Sequence, residues 1–95
     1  MKTEIDIELE MKKHSSFFLD SRKNDVDLIK KHSSEHDYKS IQKICHNIKG
    51  FSKPFGFPTL AELAIKLDAE CSVKNDEKIN QITNEMMDYI CFYRS

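Results

Sequence analysis

The sequence is poor in the residues that interrupt regular structure. Among its 95 residues there are two glycines, two prolines and no tryptophan. All-β folds need many tight turns, and turns draw heavily on glycine and proline, so this composition argues against a sandwich or barrel. The chain is also too short for a large multidomain enzyme, and its length suits one hydrophobic core in a single domain over residues 1–95.

Long apolar runs and paired cysteines are also missing. No run approaches the roughly 20 apolar residues that cross a bilayer, so we expect no membrane insertion. The N-terminal segment MKTEIDIELEMKK is acidic and lacks the apolar stretch of a secretory signal. The three cysteines, Cys45, Cys71 and Cys91, are odd in number and widely spaced, which favours reduced thiols. These features predict a cytoplasmic protein.

Apolar residues recur at helical spacing in four segments separated by short polar stretches. The first segment, at about residues 6–33, fits either one helix or two helices with a break near Ser15 and Ser16. Three apolar residues share one sector of its helical wheel: Met11, Phe18 and Ile29. Four bulky residues of the first and last segments are predicted to be exposed: Phe17, Leu19, Phe92 and Tyr93.

Four amphipathic helices with short connections predict an all-α fold. Short connections force neighbouring helices to run antiparallel, so we expect an up-down-up-down four-helix bundle. A short extra N-terminal helix would be present if the first segment were broken. The second helix should begin after Asp37 as N-cap and end near Lys53, because Pro54 lacks the backbone N–H that continuation requires.

The starts of the last two helices also carry capping signals. Thr59 is followed three residues later by Glu62, which is the spacing of a capping box, so we predict Thr59 as the N-cap of the third helix. Asn75 or Asp76 is the predicted N-cap of the fourth helix.

The near-neutral net charge of −1 conceals a strong local asymmetry. Residues 38–61 contain four basic residues and no acidic one, a formal charge of +4, whereas the rest of the chain has 11 basic and 16 acidic residues, a charge of −5. The four basic residues are Lys39, Lys43, Lys49 and Lys53. A local excess of this kind favours an acidic partner.

The second helix has an unusual polar face. On a helical wheel His46 points away from the apolar stripe, with Lys49 and Gly50 one turn onward and Gln42 and Lys43 one turn back. A glycine inside a helix costs roughly 1 kcal/mol relative to alanine, which suggests that another molecule must approach Gly50 closely. An imidazole is nucleophilic near neutral pH, and a nearby lysine would stabilise a phosphoryl group placed on it.

Three strings of this sequence closely resemble the histidine-containing phosphotransfer (HPt) domain family: HNIKG at 46–50, FGFP at 55–58 and LAELA at 60–64. Three further residues complete the pattern: Leu67, Asp68 and Glu70. The resemblance is specific over about residues 38–70. It implies a four-helix bundle that carries its histidine on an exposed central helical face.

The resemblance also implies residue roles. His46 would be the phosphoacceptor, through its outer ring nitrogen, and Lys49 would stabilise the phosphoryl charge. Gly50 would leave room for the active-site loops of a partner. Three other residues would border the docking surface: Gln42, Lys43 and Lys53. Three nearby aromatic residues would either back the site or form part of that surface: Phe51, Phe55 and Phe57.

The implied function is that of a phosphorelay intermediate in two-component signal transduction. The phosphoryl group would move between His46 and the aspartate of response-regulator receiver domains, with a sensor or hybrid histidine kinase as a further partner. The sequence has no recognisable nucleotide site, so we expect a phosphohistidine carrier and not an enzyme. We expect a monomer that binds no cofactor, with Mg²⁺ held by the receiver.

Three alternatives remain open from the sequence. The first is a helical adaptor that docks on a receiver domain or kinase without being phosphorylated. The second is a structural zinc site at His32 and His36, which are spaced i, i+4. The third is nucleic-acid binding through the lysine-rich face. That face lacks arginine and the rest of the chain is acidic, so we expect no nucleic-acid partner.

Overall fold

Four helices make up the computed structural model, which describes the backbone of residues 4–94 and the side chains of residues 17–93. They are α1 (Glu4–Ser34), α2 (Tyr38–Ser52), α3 (Pro58–Ser72) and α4 (Asp76–Arg94), and this part of the chain contains no strand. Each helix packs against its neighbours in the sequence, and α1 also packs against α4, which closes the ring. The connections are only three to five residues long and make neighbours antiparallel, so the predicted four-helix bundle is confirmed.

The first helix is continuous. Of the two possibilities for this segment, the structure shows one helix that runs through Ser15 and Ser16, with no separate N-terminal helix between residues 4 and 34. The chain has no glycine or proline before Gly50, and serine lowers helix propensity only modestly, so nothing in the sequence forces a break.

None of the helices, over the residues described, is both long and apolar enough to cross a membrane.

The core draws on all four helices. Two of the residues that share one sector of the first helical wheel, Phe18 and Ile29, are buried, whereas Met11 lies outside the described side chains. The prediction that Leu19 is exposed is wrong, because its exposed fraction is only 1%. Since α1 packs against both α2 and α4, it buries a face wide enough to include Leu19 as well as Phe18. The other three residues predicted to be exposed are exposed: Phe17, Phe92 and Tyr93.

The start and end of α2 follow the sequence prediction. The Asp37 carboxylate accepts hydrogen bonds from the Ser40 backbone N–H, at 3.3 Å, and from the Ser40 hydroxyl, at 2.7 Å. The helix ends at Ser52, immediately before the turn that contains Pro54. This turn closes with a hydrogen bond from the Phe57 N–H to the Ser52 carbonyl and has Gly56 at φ +83°.

The predicted capping box of α3 is wrong. The N-cap is Phe57, which makes no side-chain capping bond, and Pro58 occupies the first helical position. Proline suits that position because its fixed φ is already helical and its missing N–H would have had no partner there. Thr59 therefore lies inside the helix. At α4 the prediction holds, because the Asn75 side-chain oxygen accepts a hydrogen bond from the Lys78 N–H at 3.2 Å.

Candidate functional site

His46 lies in the second half of α2 with 65% of its side chain exposed. The residues that hold α2 in the bundle, Ile41, Cys45 and Ile48, are each no more than 1% exposed and lie on the opposite side of the helix. Because these apolar residues fix the orientation of the helix, the imidazole points to solvent, in agreement with the helical wheel.

A pocket of about 50 Å³ lies beside His46, between α2 and α3. Its lining residues are Cys45, His46, Lys49, Ala64, Ile65 and Asp68. Lys49 is exposed and shares this pocket with His46, so its side chain borders the space that an anion bound to the imidazole would enter. The structure therefore brings together the two residues to which the sequence assigned the phosphoryl chemistry.

Gly50 is exposed and has free space around it. A Cβ atom built on Gly50 would meet no other atom within 4 Å outside its own helix backbone. Packing within the chain therefore does not require a glycine at this position. No contact within the chain explains why a glycine is used here at a cost to helix stability. This fits the expectation that a partner approaches the helix at Gly50.

Asp68 is a site residue that the sequence pattern does not place beside the histidine. Its carboxylate oxygen Oδ2 lies 3.8 Å from His46 Nε2, and 34% of its side chain is exposed. The signal that could have identified it is the register of the α2–α3 hairpin. Because α2 and α3 run antiparallel and are joined by the 53–57 turn, His46 lies opposite the part of α3 around residues 64–68. Asp68 is the acidic residue in that part of α3.

Gln42 has a contact inside the chain. Its side-chain amide donates to the Asp68 carbonyl at 3.3 Å and to the Ser72 hydroxyl at 3.0 Å. These bonds join α2 to α3 one turn before His46. The sequence placed Gln42 at the border of a docking surface, whereas the structure shows its amide group turned onto α3.

Lys43 and Lys53 are exposed but do not line the pocket beside His46. Lys43 lies on the solvent face of α2, and Lys53 lies at the start of the turn that follows the helix. Their charges are therefore available to a partner at the surface around the site, while the pocket itself has Lys49.

The aromatic residues after His46 divide into core and surface. Phe57 is buried, whereas Phe51 and Phe55 are 53% and 41% exposed. Phe51 and Phe55 help to line a groove of about 340 Å³ between α1 and the end of α2. The Arg22 guanidinium lies 5.4 Å from the centre of the Phe51 ring. Since Phe51 directly follows Gly50, this aromatic groove begins beside the exposed face of α2.

The thiol next to His46 is not a competing nucleophile. Cys45 is 1% exposed, and its burial, together with the neighbouring Cys71 and Asp68, raises the pKa of the Cys45 thiol strongly. A thiol reacts as its thiolate, so Cys45 stays protonated and unreactive in the folded protein. The accessible nucleophile of this pocket is therefore the imidazole.

His32 and His36 do not share a helical face. The helix α1 ends at Ser34, and His36 lies beyond it in a left-handed conformation with φ 55°. His32 lies 3.7 Å from the Asp37 carboxylate, whereas His36 lies 3.7 Å from Asp76. The i, i+4 pair that the zinc alternative requires is therefore not formed. Within the described part of the chain, no group of three or more histidine, cysteine or acidic residues could hold a metal ion.

Comparison of the chain with protein-family models, with curated proteins and with solved structures finds no match. What supports a function for this chain is therefore the motif around His46 and the geometry of the α2–α3 pocket.

Proposed function

We propose that this chain is a histidine phosphotransfer protein of a two-component phosphorelay. It accepts a phosphoryl group on His46 from the aspartate of a receiver domain and returns it to such an aspartate. The observation that carries this proposal is the exposed imidazole that shares a pocket with Lys49, one turn before a glycine that internal packing does not require. The resemblance of residues 46–64 to the HPt motif supports the same function. The free, widely spaced cysteines suit a cytoplasmic setting.

The chemistry needs few groups from this chain. A lone pair of the imidazole attacks the phosphorus of the aspartyl phosphate in line, the N–P bond forms, and the P–O bond to the aspartate breaks to release its carboxylate. Such transfers depend on positioning and on stabilisation of the phosphoryl oxygens. Lys49 stabilises those oxygens from this side. The receiver supplies the acidic residues and the Mg²⁺ on the other side.

Charge and shape favour docking of the receiver on this face. Residues 38–61 have a formal charge of +4, which attracts an acidic active site and raises the rate of encounter. Gly50 allows the loops of the receiver to approach the helix backbone. Lys43, Lys53 and the exposed ring of Phe51 then lie around the point of contact, where they add charge and apolar surface.

The direct test is transfer of an acid-labile label from a phosphorylated receiver domain. We expect the wild-type chain to become labelled and His46→Gln to remain unlabelled. His36→Asn is a matched control, because the His36 side chain is 67% exposed and asparagine tolerates its left-handed backbone. That variant should be labelled like the wild type. Equal labelling of His46→Gln and the wild type would overturn the proposal, and binding of the receiver without any labelling would favour the adaptor alternative.

Lys49 provides a second, graded test. Lys49→Ala should lower the rate of transfer about tenfold, since it removes one charge-assisted contact to the phosphoryl group. The far-UV circular dichroism and the Tm should not change, because Lys49 is exposed. Lys78→Ala is the control, because Lys78 is exposed on α4 and the same charge is removed away from the pocket and from the docking face. The idea fails if both variants lower the rate equally.

A further inference from the structure

Opposite charges border the pocket that His46 lines. Lys49 supplies a positive charge from α2, and Asp68 supplies a carboxylate from α3. Among the described residues that line this pocket, Asp68 alone is acidic. Its Oδ2 is 3.8 Å from Nε2, the ring nitrogen that the HPt resemblance implies as the phosphoacceptor. A phosphoryl group on Nε2 would therefore add two negative charges within a few ångströms of this carboxylate.

The backbone of Asp68 is held in place by hydrogen bonds and by the core. Its backbone carbonyl accepts hydrogen bonds from the Gln42 amide at 3.3 Å and from the Ser72 hydroxyl at 3.4 Å. Leu67, the preceding residue, is fully buried in the core. The carboxylate itself makes none of these contacts, so its charge can be removed without loss of the bonds that join α3 to α2.

We propose that Asp68 sets the phosphoryl-transfer potential of His46. This inference rests on the proposed function and adds the direction of transfer to it. The Asp68 carboxylate is compatible with a neutral imidazole and attracts an imidazolium, but it repels the phosphoryl dianion. It thereby raises the free energy of the phosphorylated state relative to the unmodified one. The exchange with the receiver then shifts towards breakage of the N–P bond and formation of the aspartyl P–O bond.

Lys49 and Asp68 therefore have opposite effects on the same group. Lys49 stabilises the phosphoryl oxygens both during transfer and afterwards, whereas Asp68 prevents the phosphorylated histidine from becoming a stable end state. A relay intermediate needs this balance, because it must accept the group and then release it. The pair makes the chain a donor to receiver domains as well as an acceptor.

The test compares the wild type with Asp68→Asn in two assays. The first measures the equilibrium constant for exchange of the phosphoryl group with a receiver domain. The second measures the half-life of the label after phosphorylation with phosphoramidate, without a receiver. Asp68→Asn should shift the exchange about fivefold towards phosphohistidine and lengthen the half-life, since one repulsive charge at about 4 Å in a largely aqueous setting is removed. Concentrated salt should reduce both differences.

Asp88→Asn is the matched control. Asp88 is exposed on α4, which packs against α1 and α3, so the same chemical change occurs away from the pocket. This control should behave like the wild type in both assays, and all three proteins should have the same circular dichroism spectrum. Equal values for Asp68→Asn and the wild type, or a shift of the exchange towards the receiver, would overturn the role of Asp68.

The two proposals fail in different ways. A wild-type chain that is labelled at His46 by phosphoramidate but exchanges nothing with a receiver contradicts the proposed function, while the half-life comparison still tests Asp68. Normal exchange with no difference between wild type and Asp68→Asn contradicts the role of Asp68 alone. Absence of label at His46 by either route contradicts both.

Discussion

Gly50 and Gly56 differ in backbone conformation although both have open space where a Cβ would lie. Gly50 is helical, whereas Gly56 has φ +83° in the turn after α2. Gly50→Ala should therefore raise the free energy of unfolding by about 0.5–1 kcal/mol, because alanine is the better helix former. Gly56→Ala should lower it by about 1–2 kcal/mol, because an L-residue is strained at that φ.

Urea unfolding of the two glycine variants checks this pair of opposite signs. Since the Cβ of neither alanine meets a neighbour, packing contributes little. The change in the free energy of unfolding is therefore set by the backbone conformation at each position. A loss of stability in Gly50→Ala would show that the folded chain itself requires glycine at this position, and the argument for a close partner at Gly50 would fail.

The exposure of individual side chains at the site could be predicted from the sequence only where one helix decides it. The wheel of α2 correctly placed His46, Lys49 and Gly50 at the surface, because the orientation of α2 follows from its own apolar stripe. The pairing of His46 with Asp68 depends on the register between two helices, which no single-helix pattern contains. Leu19 was missed for a similar reason, since its burial depends on how α1 is shared between two neighbours.

At the scale of the element, the stabilisation of the first turn of α2 by its N-cap should depend on pH. The side-chain hydrogen bond from Ser40, followed by its backbone bond, lowers the pKa of Asp37 below its ordinary value of 3.8. A carboxyl group with a lowered folded pKa stabilises the fold above its unfolded pKa, and this contribution is lost as the pH falls through the folded value. Acid should therefore weaken the cap of α2.

Asp37→Asn isolates this effect, because asparagine is also a good N-cap but does not titrate. We expect the Tm of the wild type relative to Asp37→Asn to fall as the pH is lowered from about 5 towards about 2. Thermal melts followed by circular dichroism measure the difference, and the other carboxyl groups are common to both proteins. A difference in Tm that is independent of pH would contradict the assigned role of the carboxylate.

Helices were predicted more reliably than their boundaries. The stripes of α2 and α3 follow from burial against the bundle, which the spacing of apolar residues records directly. The start of α3 was misassigned because Thr59 and Glu62 have capping-box spacing, yet Pro58 already has the φ of a first helical residue. The proline ring fixes φ covalently, whereas a capping box only adds hydrogen bonds, and here the proline determines the helix boundary.

At the scale of the whole molecule, the α2–α3 hairpin supplies the pocket and the other two helices complete its support. All six residues that line the pocket belong to α2 or α3. The helix α4 packs behind α3, and α1 packs beside α2. Phe18 of α1 also stacks on Phe55 of the turn after α2, with 4.7 Å between the ring centres. The rigidity of the site therefore depends on the cooperative packing of the bundle, and the two buried thiols of this hairpin can report on it.

Thiol labelling should separate one fast cysteine from two slow ones. Cys91 is exposed, whereas Cys45 and Cys71 are buried in α2 and α3. Burial, together with the nearby carboxylates of Asp68, Asp76 and Glu70, raises the pKa of Cys71 to about 11, and burial raises that of Cys45 further. Both buried thiols should therefore react through opening of the bundle, at least about 100-fold more slowly than Cys91.

A chromogenic disulfide reagent measures these rates in native and denatured protein. Cys91→Ser should remove the fast phase and leave the slow one, and urea should make all the remaining thiols fast. Because Cys45 and Cys71 belong to one hairpin, they should react in a single slow phase. If the opening of the bundle is in rapid equilibrium, the more stable Gly50→Ala variant should react more slowly in this phase. Three thiols reacting at the same rate in the native protein would mean that the hairpin opens freely, and then the fixed spacing between His46 and Asp68 could not persist.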